Sequence, residues 1–401
     1  MGVNEPIRRS TSPWLLILAS GLAIAALAYL IIFGRRYGLD LRVYRDSARA
    51  WLNGRNPYSL DFTPSRLAFT YPPFALLVLT PLTWSPFAVT QWLLWVISLM
   101  ATTACVTFVL RDRGLTKSAT LWLGSFAWVC ASILILEPAR SGVDYGQIEF
   151  VLMFLAITDL LVVPPPYRGL TLGLAAAIKL TPLIFVVVLV VRRDRNSVIR
   201  AVSSFLLWTG LAWVFWPGIS HEYWSNDVGN PARVGTITYG GNQSWFAVLH
   251  RSPFPTHGSP ALWVLLSLVT VALGTFVAWR CATTDRQSFA ILAIAFAGLL
   301  VTPISWSHHW IWVLLIPPAL VVPRRDDTHR VVRLMLWGLV ALAILGPYWW
   351  YSSGPASDAL DAILPICTFF LLAIWSRVEF SEWRHDLPQP DHSPMEDGAT
   401  P

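Results

Sequence analysis

Charge is what this sequence has least of. Only 13% of its 401 residues are Asp, Glu, Lys or Arg, while 55% are hydrophobic. Soluble domains carry about 25% charged residues, so a water-soluble fold of this length is excluded and the bilayer must serve as part of the solvent. Lysine is nearly missing. Of the 29 basic residues only Lys117 and Lys179 are not arginine, a skew that points to a high-GC genome such as an actinobacterium's. The four cysteines (Cys105, Cys130, Cys281, Cys367) fall in or beside apolar runs without paired spacing, which argues against a disulfide framework or a zinc site. There is no P-loop, no GxGxxG opening a helix, no nucleophile-elbow serine and no CxxC. No span is long enough to fold a soluble nucleotide-sugar domain. The net charge of +6 needs no nucleic-acid partner, because basic loops facing the cytoplasm account for it.

Long apolar runs take the place of these features. Stretches of about 17 to 23 residues match the length of a helix crossing ~30 Å of hydrocarbon, and helices satisfy their own backbone in lipid. The reading is an all-α polytopic membrane protein with helices near 14–33, 88–110, 118–136, 146–163, 199–217, 260–279, 288–304, 309–322, 332–350 and 358–376. The stretch 169–192 is interrupted at Lys179-Leu180-Thr181-Pro182, where proline breaks a helix, and it reads as two half-helices. That makes twelve passes. The run from Pro72 to Trp84 is short and reads as re-entrant or interfacial. Residues 1–384 form one catalytic membrane domain, and 385–401, rich in Pro, Asp and Ser, a disordered tail. Placing both termini in the cytoplasm of a plasma-membrane protein puts most basic residues inside. The outer face then collects loop 34–70, the turn 137–147, the tip at Lys179, loop 218–258 and the turn from Ser305 to His309.

Several of these outer residues suit chemistry. Leu41, Tyr44, Ala48 and Trp51 recur at helical spacing, with Arg42, Arg45, Asp46 and Arg49 opposite, as in a helix lying in the interface plane. Asp40 at its start is either an N-cap or a general base that takes a proton from an attacking hydroxyl; Asp46 is the local alternative. Lys179 is an ionisable group within an apolar stretch, a functional signal by default, placed to meet a lipid phosphate unless it merely snorkels. His308 and His309 point in different directions on a helix, so one of them faces the site, donating to phosphate or orienting a hydroxyl, unless they are an interfacial polar pair. No HExxH pattern accompanies them, so no metal is expected. Asn242-Gln243-Ser244 offers amides and a hydroxyl beside Trp245 and Phe246, the means by which sugars are held. Asp144, Gln147 and Glu149 sit at the start of the 146–163 helix, and Glu149 in an apolar run needs a partner or a wet cavity.

Asp40-Leu-x-Val-Tyr44, Tyr71-Pro-Pro-Phe74, Gly146-Gln147, Ala176-Ala-Ile-Lys-Leu-Thr-Pro182, Asn242-Gln-Ser244 and Pro303-Ile-Ser-Trp-x-His-His309 occur in this order. Together they resemble glycosyltransferase family 87, over about residues 38 to 320. The resemblance implies a GT-C type enzyme that transfers mannose with inversion from polyprenyl-phosphate-mannose to a glycolipid acceptor. That acceptor would be a phosphatidylinositol mannoside, lipomannan or lipoarabinomannan, glycosylated outside the cytoplasm in an α-1,2 linkage. It implies Asp40 as catalytic base and Lys179, His308 and His309 at the donor phosphate. Tyr44, Tyr71, Asp144, Gln147, Glu149, Asn242, Gln243, Ser244, Ser305 and Trp306 become substrate-contact candidates. Glu149 departs from the asparagine that many members carry there. No cofactor is implied beyond the lipid-linked co-substrate, and the remaining partners are membrane lipids. The competing readings are a polyprenyl-phosphate-arabinose-dependent transferase, whose relatives tend to lack the His-His pair, and a glycolipid transporter or flippase, since broken helices also occur in transporters.

Overall fold

The protein is described by a computed structural model covering residues 13–33, 38–116, 118–252, 258–321, 329–350 and 354–386. The tail from 387 onward therefore lies outside the described residues. Among those described, every regular element is helical, and the only β pairings are the isolated bridges Asp61–Ala68 and Asn242–Trp306. Six helices are long and apolar enough to cross a membrane. They are α1 (Pro13–Ile32), α4 (Phe87–Asp112), α10 (Arg195–Phe215), α13 (Pro260–Thr283), α16 (Arg330–Leu345, continued by a 3-10 turn to Trp349) and α17 (Pro355–Asp386). α5 (Ala119–Ile135) and α6 (Glu137–Tyr145), bent by 85° at Leu136, would make a seventh if counted as one span. The chain is a multi-pass, all-helical membrane protein.

Shorter helices fill the space between these spans. They are α2 (Leu39–Leu52), α3 (Pro73–Leu79), α7 (Glu149–Leu161), α8 (Leu170–Ile178), α9 (Val186–Val191), α11 (Pro217–Glu222), α12 (Trp245–Arg251), α14 (Gln287–Val301) and α15 (Ile316–Leu320). α14 is buried almost all round, as a helix without a polar face must be.

Three sequence expectations need correction. The segment 137–147, read as a turn, is mostly α6; Pro138 sits at its first turn, where the missing N–H costs nothing. The span read at 309–322 is a 3-10 helix from Ser307 to Leu315, kinked at Trp310, that runs into α15. The arginines of α2 do not all face outward. Arg45 is buried and donates from Nε to Leu82 O (3.1 Å) and from Nη2 to Ser85 O (2.6 Å), leaving Arg42 and Arg49 as the exposed arginines of that helix.

The broken stretch behaves as its sequence indicates. α8 ends at Ile178, Lys179 is extended (φ −147°, ψ 134°), and a 3-10 turn from Thr181 to Phe185 leads into α9. Asp159 fixes the start of α8 by accepting from Gly169 N (2.8 Å), Leu172 N (3.0 Å) and Thr171 Oγ1 (2.6 Å). Gly169 and Gly173 press α8 onto α10, where an added Cβ would overlap backbone atoms of Ser197 and Ala201. Lys179 is thereby held on a rigid stem.

Candidate active site

The site grows from a tight turn. α6 is capped by Gly146, whose φ of +73° favours glycine, and a Cβ there would meet Leu41 Cβ at 2.8 Å. This close approach sets Gln147 beside α2. Its Nε2 donates to Asp40 Oδ2 (2.5 Å) and lies 2.9 Å from His308 Nε2, while its Oε1 accepts from Tyr44 Oη (3.0 Å). Both amide protons are thus used, and His308 accepts at Nε2 as the tautomer protonated at Nδ1.

The chain of bonds continues. Tyr44 has one proton and gives it to Gln147, so in the 2.7 Å contact between the two phenols Tyr71 donates to Tyr44. Lys179 Nζ donates to Tyr71 Oη (3.2 Å), sits over the Tyr71 ring (4.9 Å to its centroid), and forms an ion pair with Glu149. His309 approaches the same carboxylate oxygen, its Nε2 3.4 Å from Glu149 Oε1. A single directed network therefore joins Lys179 to Asp40.

Asp40 is not an N-cap: Gly38 (φ +50°) occupies that position, without a side-chain cap. α2 lies outside the membrane-crossing helices, yet burial pushes the Asp40 carboxyl up to about 7. The field of Lys179 and the Gln147 hydrogen bond hold it lower than burial alone would, and Glu149 adds to the rise. A carboxyl titrating near 7 suits proton abstraction at neutral pH.

A cavity of about 460 Å³ opens over this network. Asp40, Tyr44, Tyr71, Gln147, Lys179, Trp306 and His309 all line it. A second cavity of about 480 Å³, lined mainly by apolar side chains of α7, α14 and the Thr181–Phe185 turn, shares Leu180, Thr181, Thr302 and His309 with the first and includes Glu149. His309 faces both cavities. His308 stands behind, against Gln147 and edge-on to Tyr145 (5.3 Å between ring centroids).

Other nominated residues are turned away. Asp144 accepts from Tyr29 Oη (2.6 Å), tying α1 to α6 outside the cavity. Asn242 donates to Ile237 O (3.1 Å) and Pro303 O (3.2 Å) and accepts from Ser305 N (2.9 Å). Gln243 donates to Gly240 O (2.6 Å), and Ser244 caps α12 while donating to Pro303 O (2.9 Å). Asn242, Gln243, Ser244 and Ser305 are fully buried and staple the loop before α12 to the loop after α14. The side chains of Asn242 and Ser244 and the Gln243 Nε2 satisfy backbone groups, while Gln243 Oε1 and Ser305 Oγ have no partner among the described residues; a sequence pattern does not distinguish such roles from sugar binding. Asp46 is absent from the cavity wall as well.

Sequence reasoning missed two groups. Glu137, buried, accepts from Ser141 Oγ (2.5 Å), Ser307 Oγ (2.9 Å), Tyr348 Oη (2.5 Å) and Trp349 Nε1 (3.0 Å), clamping α6 to the histidine turn. An acid beside a proline at a helix start was the available signal. The segment 223–234 also lines the polar cavity, through Tyr223, Asp227, Asn230 and Arg233. Among the described residues, no group of three or more His, Cys, Asp or Glu side chains is arranged to hold a metal ion.

Fold and site define a multi-pass helical membrane protein with a carboxylate, a lysine and a histidine around one polar cavity that abuts an apolar one. The family model of glycosyltransferase family 87 matches residues 69–303. The chain is 33% identical over 347 residues to the polyprenol-phosphate-mannose-dependent alpha-(1-2)-phosphatidylinositol mannoside mannosyltransferase of Mycobacterium tuberculosis, covering 82% of this chain and 81% of that protein. It is 36% identical over 313 residues to the protein of the same name from Mycolicibacterium smegmatis (71% and 69% covered). With the polyprenol-phosphate-mannose-dependent alpha-(1-2)-phosphatidylinositol pentamannoside mannosyltransferase of that organism it shares 34% identity over 349 residues (84% and 81%). No solved structure matches the chain. The protein belongs to glycosyltransferase family 87.

Proposed function

We propose that this protein transfers mannose from polyprenol-phosphate-mannose to a phosphatidylinositol mannoside, forming an α-1,2 linkage with inversion at the anomeric carbon. Family membership and the names of the mycobacterial relatives support the donor and acceptor. The observation that carries the mechanism is the Asp40 carboxyl, raised to about 7 in a cavity that also presents Lys179 and His309. Asp40 takes the proton of the acceptor hydroxyl as its oxygen attacks C1. The C1–O bond to phosphate breaks on the opposite side, and its electrons leave with the polyprenyl phosphate. Lys179 and His309 stabilise the charge that develops there, an electrostatic effect that is usually the largest in such catalysis. Gln147 orients Asp40, and the apolar cavity beside His309 accommodates the first units of the lipid.

The same reading takes the fold as GT-C type with twelve passes, the termini cytoplasmic and the cavity extracytoplasmic. The test is transfer in sealed vesicles of known orientation, with radiolabelled donor and analysis of the product's linkage. Labelled phosphatidylinositol mannoside bearing a new α-1,2-mannose is the expected result. No transfer to any glycolipid, or a retained anomeric configuration, sinks the reading.

A further inference from the structure

The wall of the polar cavity contributed by residues 223–234 has no part in the mechanism above. Tyr223 to Asp227 form one π-helical turn, a backbone form found disproportionately at functional sites. Asp227 is 8% exposed. Its Oδ1 pairs with Arg233 Nε (3.1 Å), while Oδ2 is buried with no hydrogen-bond partner among the described residues. Arg233 also donates to Tyr58 O (2.5 Å), which ties the pair to the Pro57–Ser59 turn. Trp263 of α13 lines the same cavity, and its Nε1 is likewise buried without a partner among the described residues. A buried polar atom without a partner is costly, so an acceptor and a donor left open in one cavity call for a ligand.

The chemistry of that ligand follows from what is offered. Arg233 is already matched by Asp227, so this part of the wall has no surplus positive charge for a phosphate. What remains is a carboxylate acceptor, an indole donor, the Asn230 amide and the flat faces of Trp263 and Trp306. Trp306 packs close to Gly235 (φ +140°), where a Cβ would come within 3.0 Å of its ring. Hydroxyl hydrogen bonds plus an aromatic face fit a neutral hexose ring. Resting on the mannosyltransferase reading, we infer that Asp227 and Trp263 form the subsite for the acceptor's own sugar, distinct from the Lys179–His309 end that meets the donor phosphate.

The test uses the full chain in membrane vesicles, with labelled polyprenol-phosphate-mannose and phosphatidylinositol mannoside, and determines the KM of each substrate separately. Trp263→Phe keeps an aromatic face and loses the N–H; it raises the acceptor KM about tenfold, and Asp227→Asn raises it about ten- to a hundredfold. Donor KM stays within twofold of wild type in both. If Asp227→Asn fails to fold because its pairing with Arg233 is weakened, Trp263→Phe decides alone. An unchanged acceptor KM overturns the subsite, as does an equal rise in donor KM. A wild type that transfers no mannose at all rejects the underlying transferase reading before the variants are compared.

Discussion

Gln147 gives one proton of its amide to Asp40 and the other to His308, at 2.5 and 2.9 Å, and so joins the candidate base on α2 to the histidine turn after α14. Its carbonyl end receives the Tyr44 proton. Every hydrogen-bonding group of this side chain is therefore committed, and its orientation is fixed.

Replacing Gln147 by Leu removes three bonds at once. The hydrogen bond to Asp40 lowers that carboxyl's pKa, so its loss drives the pKa above 7. A base must be ionised to work. The acidic limb of the rate profile should move to higher pH, and at pH 7 kcat should fall roughly tenfold or more. Steady-state rates from pH 5.5 to 9 check this; an unmoved limb contradicts it.

In the wild type the same reasoning predicts activity that rises with pH and levels off above about 7, the value to which burial lifts Asp40. Below it, the protonated carboxyl has no capacity to accept the hydroxyl proton. A rate already maximal at pH 5.5 would remove Asp40 from the role.

Glu149 neutralises Lys179 and stands next to His309, where the mechanism puts the leaving phosphate. A carboxylate there repels a phosphate and competes with it for the lysine. Glu149→Gln should therefore tighten inhibition by polyprenyl phosphate about tenfold, while Lys179→Met should lower kcat by about 10²–10³. Inhibition constants in the two variants are the measurement, and weaker inhibition in Glu149→Gln contradicts the assignment.

Gly146→Ala forces a left-handed residue to carry a Cβ against Leu41. The strain should cost about 1–3 kcal/mol and move Gln147 away from Asp40. Thermal denaturation in detergent should show a lowered Tm, together with a fall in kcat. Glu137→Gln tests a different point. It weakens four hydrogen bonds, three of which fasten α6 to Ser307, Tyr348 and Trp349, and should lower stability by about 3 kcal/mol.

Much of this architecture was legible in the sequence. Apolar length located the spans around α4, α10 and α13, and the Thr-Pro break located Lys179 between α8 and the turn that follows. Asp40, Tyr44, Tyr71, Gln147 and Lys179 were all nominated, and they share one cavity. Periodicity did not reveal α6, because nine residues with two carboxylates and an arginine read as a turn until packing against the histidine turn makes them a helix. Asn242, Gln243 and Ser244 look the same in sequence whether they bind a sugar or satisfy Pro303 and Ser305; only the fold distinguishes these. The ion pair of Lys179 with Glu149 was hidden for the same reason, since residues 30 apart meet only once α7 and α8 pack.

The central claim is that Asp40 is the base, and Asp40→Asn tests it most directly. The variant keeps the size of the side chain and its contact with Gln147 but has no capacity to take a proton. In single-turnover transfer from labelled polyprenol-phosphate-mannose, at matched protein level and with unchanged Tm, the rate should fall by about 10²–10⁴. A variant that transfers mannose at the wild-type rate would contradict the account.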